Sequence, residues 1–179
     1  MIKPVKIDYN LSQFINADYS VHSGSCIAHQ VHELTDIHEQ YDGFPDSYDL
    51  GNTLIRQLWW NDTQVDFELL GRQLDMEVVT ISSILQPPGN VVPLHRDTFF
   101  QIKKRFPDDP RLKVRANIYL KDWSVGEFIQ YEIDNKWHNS THWCAGEGWI
   151  WDSNHLHLSA NAGMRDKYTL QISGFLIEN

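Results

Sequence analysis

Residues 87–100 read PPGNVVPLHRDTFF, and their interpretation decides the fold. Pro87-Pro88-Gly89-Asn90 has the composition of a tight turn. A short apolar run follows, and then His95 and Asp97 stand one residue apart. Side chains at i and i+2 of a strand share a face. An imidazole and a carboxylate are therefore predicted to project side by side from one strand end. Pro93 inside the run predicts an edge strand or a bend, because proline cannot donate to a ladder.

The flanking sequence extends this pattern. Upstream, EVVTISSILQ alternates and is rich in β-branched residues, which predicts a strand. Downstream, residues 98–111 (TFFQIKKRFPDDPR) have no strand period. They are expected to form a mobile loop and a candidate lid carrying Phe99, Phe100 and Lys103-Lys104-Arg105. LKVRANIYLKDW, EFIQYEID, KWHNSTHW, GEGWIWD, HLHLSAN and KYTLQISGFLI then complete about eight short strands at regular spacing, the pattern of an all-β sandwich or barrel. Residues 51–60 fit a short helix or a strand. Residues 63–75 read as a helix, with Thr63 as cap and Phe67, Leu70 and Leu74 at helical spacing. The first 50 residues are irregular, acidic and His-rich. The expectation is a mainly β protein, a double-stranded β-helix of jelly-roll or cupin-like type, as a single domain over 1–179. Residues 1–76 would be its N-terminal helical and loop support, and 77–179 its core.

A net charge of −9 argues against nucleic acid and against an anionic membrane surface as partners. Cys26 and Cys144 form neither a disulfide framework nor zinc-site spacing, which suggests a reducing compartment. MIKPVKIDYN lacks an apolar leader core, and no stretch approaches 18 apolar residues. A cytoplasmic protein is expected.

Near the end stands WIWDSNHLHLSANAGMRDKYTLQISG, residues 149–174. His155 and His157 are predicted to share one strand face. HxD alone also describes an ordinary satisfied polar pair. Joined to a His on a later strand, it gives a 2-His-1-carboxylate facial triad, which suits the non-haem Fe(II) oxygenases. Absence of thiolate argues against structural zinc. In that enzyme class a 2-oxo acid cosubstrate needs a cation for its far carboxylate. Two equally spaced registers offer one, His157 with Lys167 and His155 with Arg165. Thr169, two residues past Lys167, adds a hydroxyl on the same face and favours the first.

Through QPPGNVVPLHRDTF, GEGWIWDSNHLHLSAN and KYTLQISG, the chain resembles the Fe(II)/2-oxoglutarate-dependent dioxygenases over about residues 77–175. Within them it is similar to the small aspartyl/asparaginyl β-hydroxylase-like and phage-type members. The resemblance implies His95, Asp97 and His157 as iron ligands and as the catalytic centre. The Asn161 that follows four residues after His157 supports that histidine over His155. Lys167 stands where the family places the Arg or Lys that pairs with the C5 carboxylate of 2-oxoglutarate. Arg115 and Asn117 stand on a strand that often helps bind cosubstrate or substrate. The implied activity is hydroxylation of a C–H bond in a small-molecule or amino-acid-type substrate. Fe(II), 2-oxoglutarate and O2 are consumed or bound, succinate and CO2 are coproducts, and ascorbate serves as reductant in assays. Two features depart from the pattern: the β-hydroxylases commonly lack the carboxylate ligand that Asp97 supplies, and the anchor is more often Arg than Lys. Asp97 argues against halogenation.

The competing readings keep the jelly roll without the oxygenase: a non-redox cupin-like metal enzyme, a ligand-binding module, or a structural component. The Lys167/Thr169 pair discriminates, since only a 2-oxo acid binder has use for it. Trp149 and Trp151 read as core; Trp59-Trp60 could line the substrate mouth, with packing the plainer reading. His22, His29, His32, His38, His138 and His142 read as surface or satisfied histidines. Asp152 reads as an orienting group or a turn cap.

Overall fold

The computed structural model describes residues 1–21, 23–26, 36–40 and 43–177. His22, His29 and His32 lie outside the described residues. Eleven strands are described: β1 Ile2–Lys6, β2 Ser23–Ser25, β3 Leu54–Trp60, β4 Met76–Gln86, β5 Asn90–His95, β6 Lys113–Tyr119, β7 Glu127–Ile133, β8 Lys136–Ser140, β9 Glu147–Asp152, β10 His157–Asn161 and β11 Lys167–Leu176. They form two antiparallel sheets, ordered β1-β9-β6-β11-β4-β3-β2 and β5-β10-β7-β8. From β4 onward the chain crosses between them at every connection except the β7–β8 hairpin, with β4, β6, β9 and β11 in the larger and β5, β7, β8 and β10 in the smaller. That is the double-stranded β-helix.

The PPGN turn makes the first crossing. Asn90 N donates to Pro87 O at 3.3 Å, and Gly89 takes φ +81°, a conformation that glycine adopts without Cβ strain. Pro93 sits in β5, at the edge of the smaller sheet, where its missing donor costs no ladder bond.

The larger sheet is two-faced by its alternation. Ile81, Ala116, Ile118, Ile150, Leu170 and Ile172 turn to one side and are fully buried with Leu70 and Leu74 of the helix Phe67–Leu74. Each large aliphatic side chain among them contributes about 1.5–3 kcal/mol of burial. The opposite parity of the same strands carries Thr80, Gln86, Arg115, Asn117, Thr169 and Gln171, and these face a cavity between the sheets. Apolar outer face and polar inner face follow from the period-2 pattern.

The helix cap and the 98–111 loop differ from expectation, and the structure decides the segment left open at 51–60. Asp66 caps the helix through Leu69 N at 2.8 Å, because Thr63 is taken up by a turn on Asn61 Oδ1. Residues 54–60 form a strand, since pairing with β4 decides a segment whose local pattern is ambiguous. Residues 100–105 are a short helix rather than a loop, pinned by fully buried Ile102. Residues 1–76 do more than support: they supply β1 at one edge of the larger sheet and β3-β2 at the other. Cys26 and Cys144 form no disulfide among the described residues. No described helix is long and apolar enough to cross a membrane.

Candidate active site

β5 and β10 lie side by side, and His95 pairs with His157 in their register. Asp97 follows two residues after β5 ends, in the connection rather than on the strand. The ligating atoms of His95, Asp97 and His157 all lie within 4.8 Å of one another. His95 Nδ1 faces Pro93 O at 2.8 Å and His157 Nδ1 faces His155 O at 3.1 Å. A carbonyl only accepts, so each Nδ1 is protonated and each Nε2 keeps its lone pair. His157 Nε2 lies 3.9 Å from Asp97 Oδ2. Two bare imidazole nitrogens and a carboxylate converging on one point fit a divalent metal of the iron type.

Asp97 is held from two sides. Trp151 donates from Nε1 to Oδ2 at 2.8 Å, and the Arg115 guanidinium bonds Oδ1. Arg115 Nε also donates to Ser173 Oγ at 2.9 Å, which fixes the guanidinium. Burial works to raise the Asp97 pKa, but Arg115, the two imidazoles and the indole outweigh it and hold the carboxyl below its ordinary value. Burial, with His157 alongside, pushes His95 down to about 3. Burial also lowers His157, against the pull of Asp97. All three groups are thus in their metal-binding protonation states at neutral pH.

The cluster opens on a cavity of about 230 Å³. Ser159, Gln86 and Thr169 also line it. Directly behind Ser159 lies Lys167, 2% exposed. Its Nζ donates to Phe128 O at 3.1 Å and to Ser159 Oγ at 2.5 Å. A lysine carries three donors, and the described residues occupy two. Burial lowers its pKa to about 7, against the through-space pull of Glu127. A buried ammonium with a spare donor and no bonded carboxylate suits an anion.

No family model matches the chain, and no curated protein matches it. Solved structures do. A Pseudomonas putida prolyl-4-hydroxylase aligns over 97% of this chain and 92% of its own, with 14% identity and a TM-score of 0.55. The non-heme alpha ketoglutarate dependent carbocyclase SnoK from nogalamycin biosynthesis aligns over 98% and 79%, with 10% identity and a TM-score of 0.54. The viral collagen prolyl hydroxylase of Paramecium bursaria Chlorella virus-1, solved with 2OG, aligns over 69% and 80%, with 12% identity and a TM-score of 0.50. The chain has the fold of the Fe(II)/2-oxoglutarate-dependent oxygenases.

On this oxygenase fold the sequence-derived residues divide clearly. His95, Asp97 and His157 meet. Thr169, Arg115 and Asn117 line the same cavity. His155 does not join the cluster: it precedes β10, in the turn after Asp152, and its Nδ1 pairs with Asp152 Oδ1 at 3.0 Å. Arg165 is exposed in the β10–β11 turn and reaches Ser124 Oγ at 3.3 Å, away from the cavity lining. Asn161 is structural, donating to Gln86 O at 2.9 Å and Arg165 O at 2.7 Å. Asp152 caps the turn through Asn154 N at 2.9 Å. Trp151, expected only as core, is buried and also grips Asp97. Ser159 and Gln86, which bond each other at 2.8 Å beside Lys167, escape sequence reasoning. Ser159 shares a strand parity with His157, the one signal that points to it. His38 is satisfied, as expected, through Leu94 O at 3.0 Å.

Proposed function

We propose that the protein is an Fe(II)- and 2-oxoglutarate-dependent oxygenase that hydroxylates a C–H bond of a small-molecule or amino-acid-type substrate. One observation carries the reading. A two-imidazole, one-carboxylate cluster lines a cavity whose wall includes Ser159, and Ser159 Oγ accepts from a buried lysine that has a spare donor. A metal enzyme without a dianionic cosubstrate has no use for that lysine.

His95, Asp97 and His157 would hold Fe(II), leaving three positions open. Iron with 2-oxoglutarate and O2 supplies the oxidising power, with succinate and CO2 as coproducts. The chain's own residues do the rest. Trp151 and Arg115 keep Asp97 ionised and oriented. Pro93 O and His155 O fix the imidazole tautomers. Lys167, behind Ser159 and on the same strand as Thr169, would pair with the far carboxylate of the oxo acid. Phe99 and Ile102, both buried at the start of the helix Phe100–Arg105, cover one side of the cavity and exclude water. The test is succinate formation from 2-oxoglutarate with Fe(II), ascorbate and O2. Wild type is expected to turn over slowly without substrate, and His95→Ala and His157→Ala to be inactive. Wild-type silence under saturating cosubstrate would move the reading to a non-redox metal enzyme.

A further inference from the structure

The inner face of the larger sheet carries a row of polar side chains outside the His95–Asp97–His157 cluster. Register places Asn117, Gln171, Ser82 and Trp59 directly opposite one another across β6, β11, β4 and β3. Gln171 Nε2 donates to Asn117 Oδ1 at 3.2 Å, and Gln57 Nε2 donates to Ser82 Oγ at 2.9 Å. Asn117, Gln171, Gln57 and Trp59 all line the cavity. Asn117 is 6% exposed, yet its Nδ2 has no partner among the described residues. A buried amide N–H without an acceptor costs about 1–3 kcal/mol unless a ligand supplies one. The row ends at the cavity mouth on Trp59, 57% exposed, with Phe100, 51% exposed, also on the lining. Two large aromatic surfaces left in water at a cavity mouth favour contact with an apolar group.

Charge narrows the ligand. The charged side chains on the lining are Arg96, Asp97 and Arg115. Arg115 and Asp97 are paired with each other, and Arg96 bonds Asn154 O. The row itself offers amides, a hydroxyl and the Trp59 indole N–H, all uncharged, which match a group having both a donor and an acceptor and no net charge. β3, which brings Gln57 and Trp59, lies outside the eight-strand core. It widens the cavity wall beyond the metal cluster and Lys167.

We propose that the Asn117–Gln171–Ser82–Trp59 row, with Gln57, is the substrate subsite. It takes an uncharged amide-bearing group flanked by an apolar or aromatic one. This rests on the oxygenase reading for what happens to the group, but not for its binding.

The test uses isothermal titration calorimetry with three probes: N-acetyl-L-phenylalaninamide, N-acetyl-L-phenylalanine and N-acetylglycinamide. Each is titrated into protein loaded with Ni(II) and 2-oxoglutarate, and into metal-free protein. The ring-bearing amide is expected to bind about tenfold or more tightly than either the carboxylate or the ringless amide. Trp59→Ala and Gln57→Glu should each weaken it about tenfold and leave Ni(II) and 2-oxoglutarate affinity unchanged. Trp59 is exposed, so an unchanged melting temperature is the folding control. Equal binding of carboxylate and amide overturns the proposal, as does wild-type affinity in both variants. So does a protein that binds Ni(II) and 2-oxoglutarate but none of the probes. Amide selectivity in a protein that fails to bind 2-oxoglutarate would remove the oxygenase reading and leave the subsite standing.

Discussion

Replacing Lys167 with Met tests the proposed oxo-acid anchor, because ligand affinity and stability then depend on pH in opposite directions. Lys167 is 2% exposed and bonded only to Phe128 O and Ser159 Oγ among the described residues. A hydrogen bond to a charged partner contributes about 1.5–3 kcal/mol. Lys167→Met should therefore weaken 2-oxoglutarate binding roughly 10- to 150-fold. The stability effect follows from proton linkage. In the unfolded chain the lysine has its ordinary pKa of 10.5; burial lowers it to about 7 in the folded protein. Between those values the unfolded chain holds a proton that the folded chain lacks, so stability rises with pH there. The limiting slope is about 1.4 kcal/mol per pH unit. From pH 7 to 9 wild type should gain on the order of 2 kcal/mol relative to the variant, or roughly 5 °C in melting temperature. Binding runs the other way: wild-type affinity for 2-oxoglutarate weakens as pH rises through 7, because the ammonium is lost. Calorimetric titration of both proteins at pH 7 and 9, with thermal melts run without ligand, reads these effects. Melting curves that stay parallel across pH, with unchanged cosubstrate affinity, refute the reasoning.

Three further outcomes follow from the geometry. Trp151→Phe keeps the buried ring but removes the N–H on Asp97 Oδ2; Ni(II) affinity, by competition with a coloured chelator, should fall about 10- to 100-fold. Metal affinity should change less than about threefold between pH 7.5 and 5.5, since burial pushes His95 down to about 3 and also lowers His157. Two ordinary imidazoles would lose roughly 100-fold over that span, and a loss of that size would count against neutral, Nδ1-protonated imidazoles at this site. Gly174→Ala places a Cβ against Glu77 O at the register shift in β11; urea melts should show a loss above about 3 kcal/mol, and a near-neutral result would refute the close approach.

The parts of the site written in local spacing were legible. His95, Asp97 and His157 could be paired because strand alternation and turn composition are local properties. The same logic overreached at His155, where the turn on Asp152 takes the residue off the strand. Lys167 is buried on the strand that carries Thr169, whereas Arg165 is exposed in the turn before it. The hold of Trp151 on Asp97 was not readable. It depends on the β6–β9 register that sets Trp151 opposite Arg115, and no local pattern encodes a cross-strand partner. The helix Phe100–Arg105 escaped notice because six residues with one buried apolar anchor carry too little periodicity. β1 and β2, five and three residues long, take their conformation from the sheet edges they join.

The most direct test of the central claim is the visible absorption that develops when Fe(II) and 2-oxoglutarate are added together without oxygen, since that band requires the oxo acid to chelate protein-bound iron. Wild type should show the band, His157→Ala should lose it, and Lys167→Met should recover it only at far higher cosubstrate. Absence of the band in folded wild type, or its persistence without His157, would contradict an iron centre built on His95, Asp97 and His157.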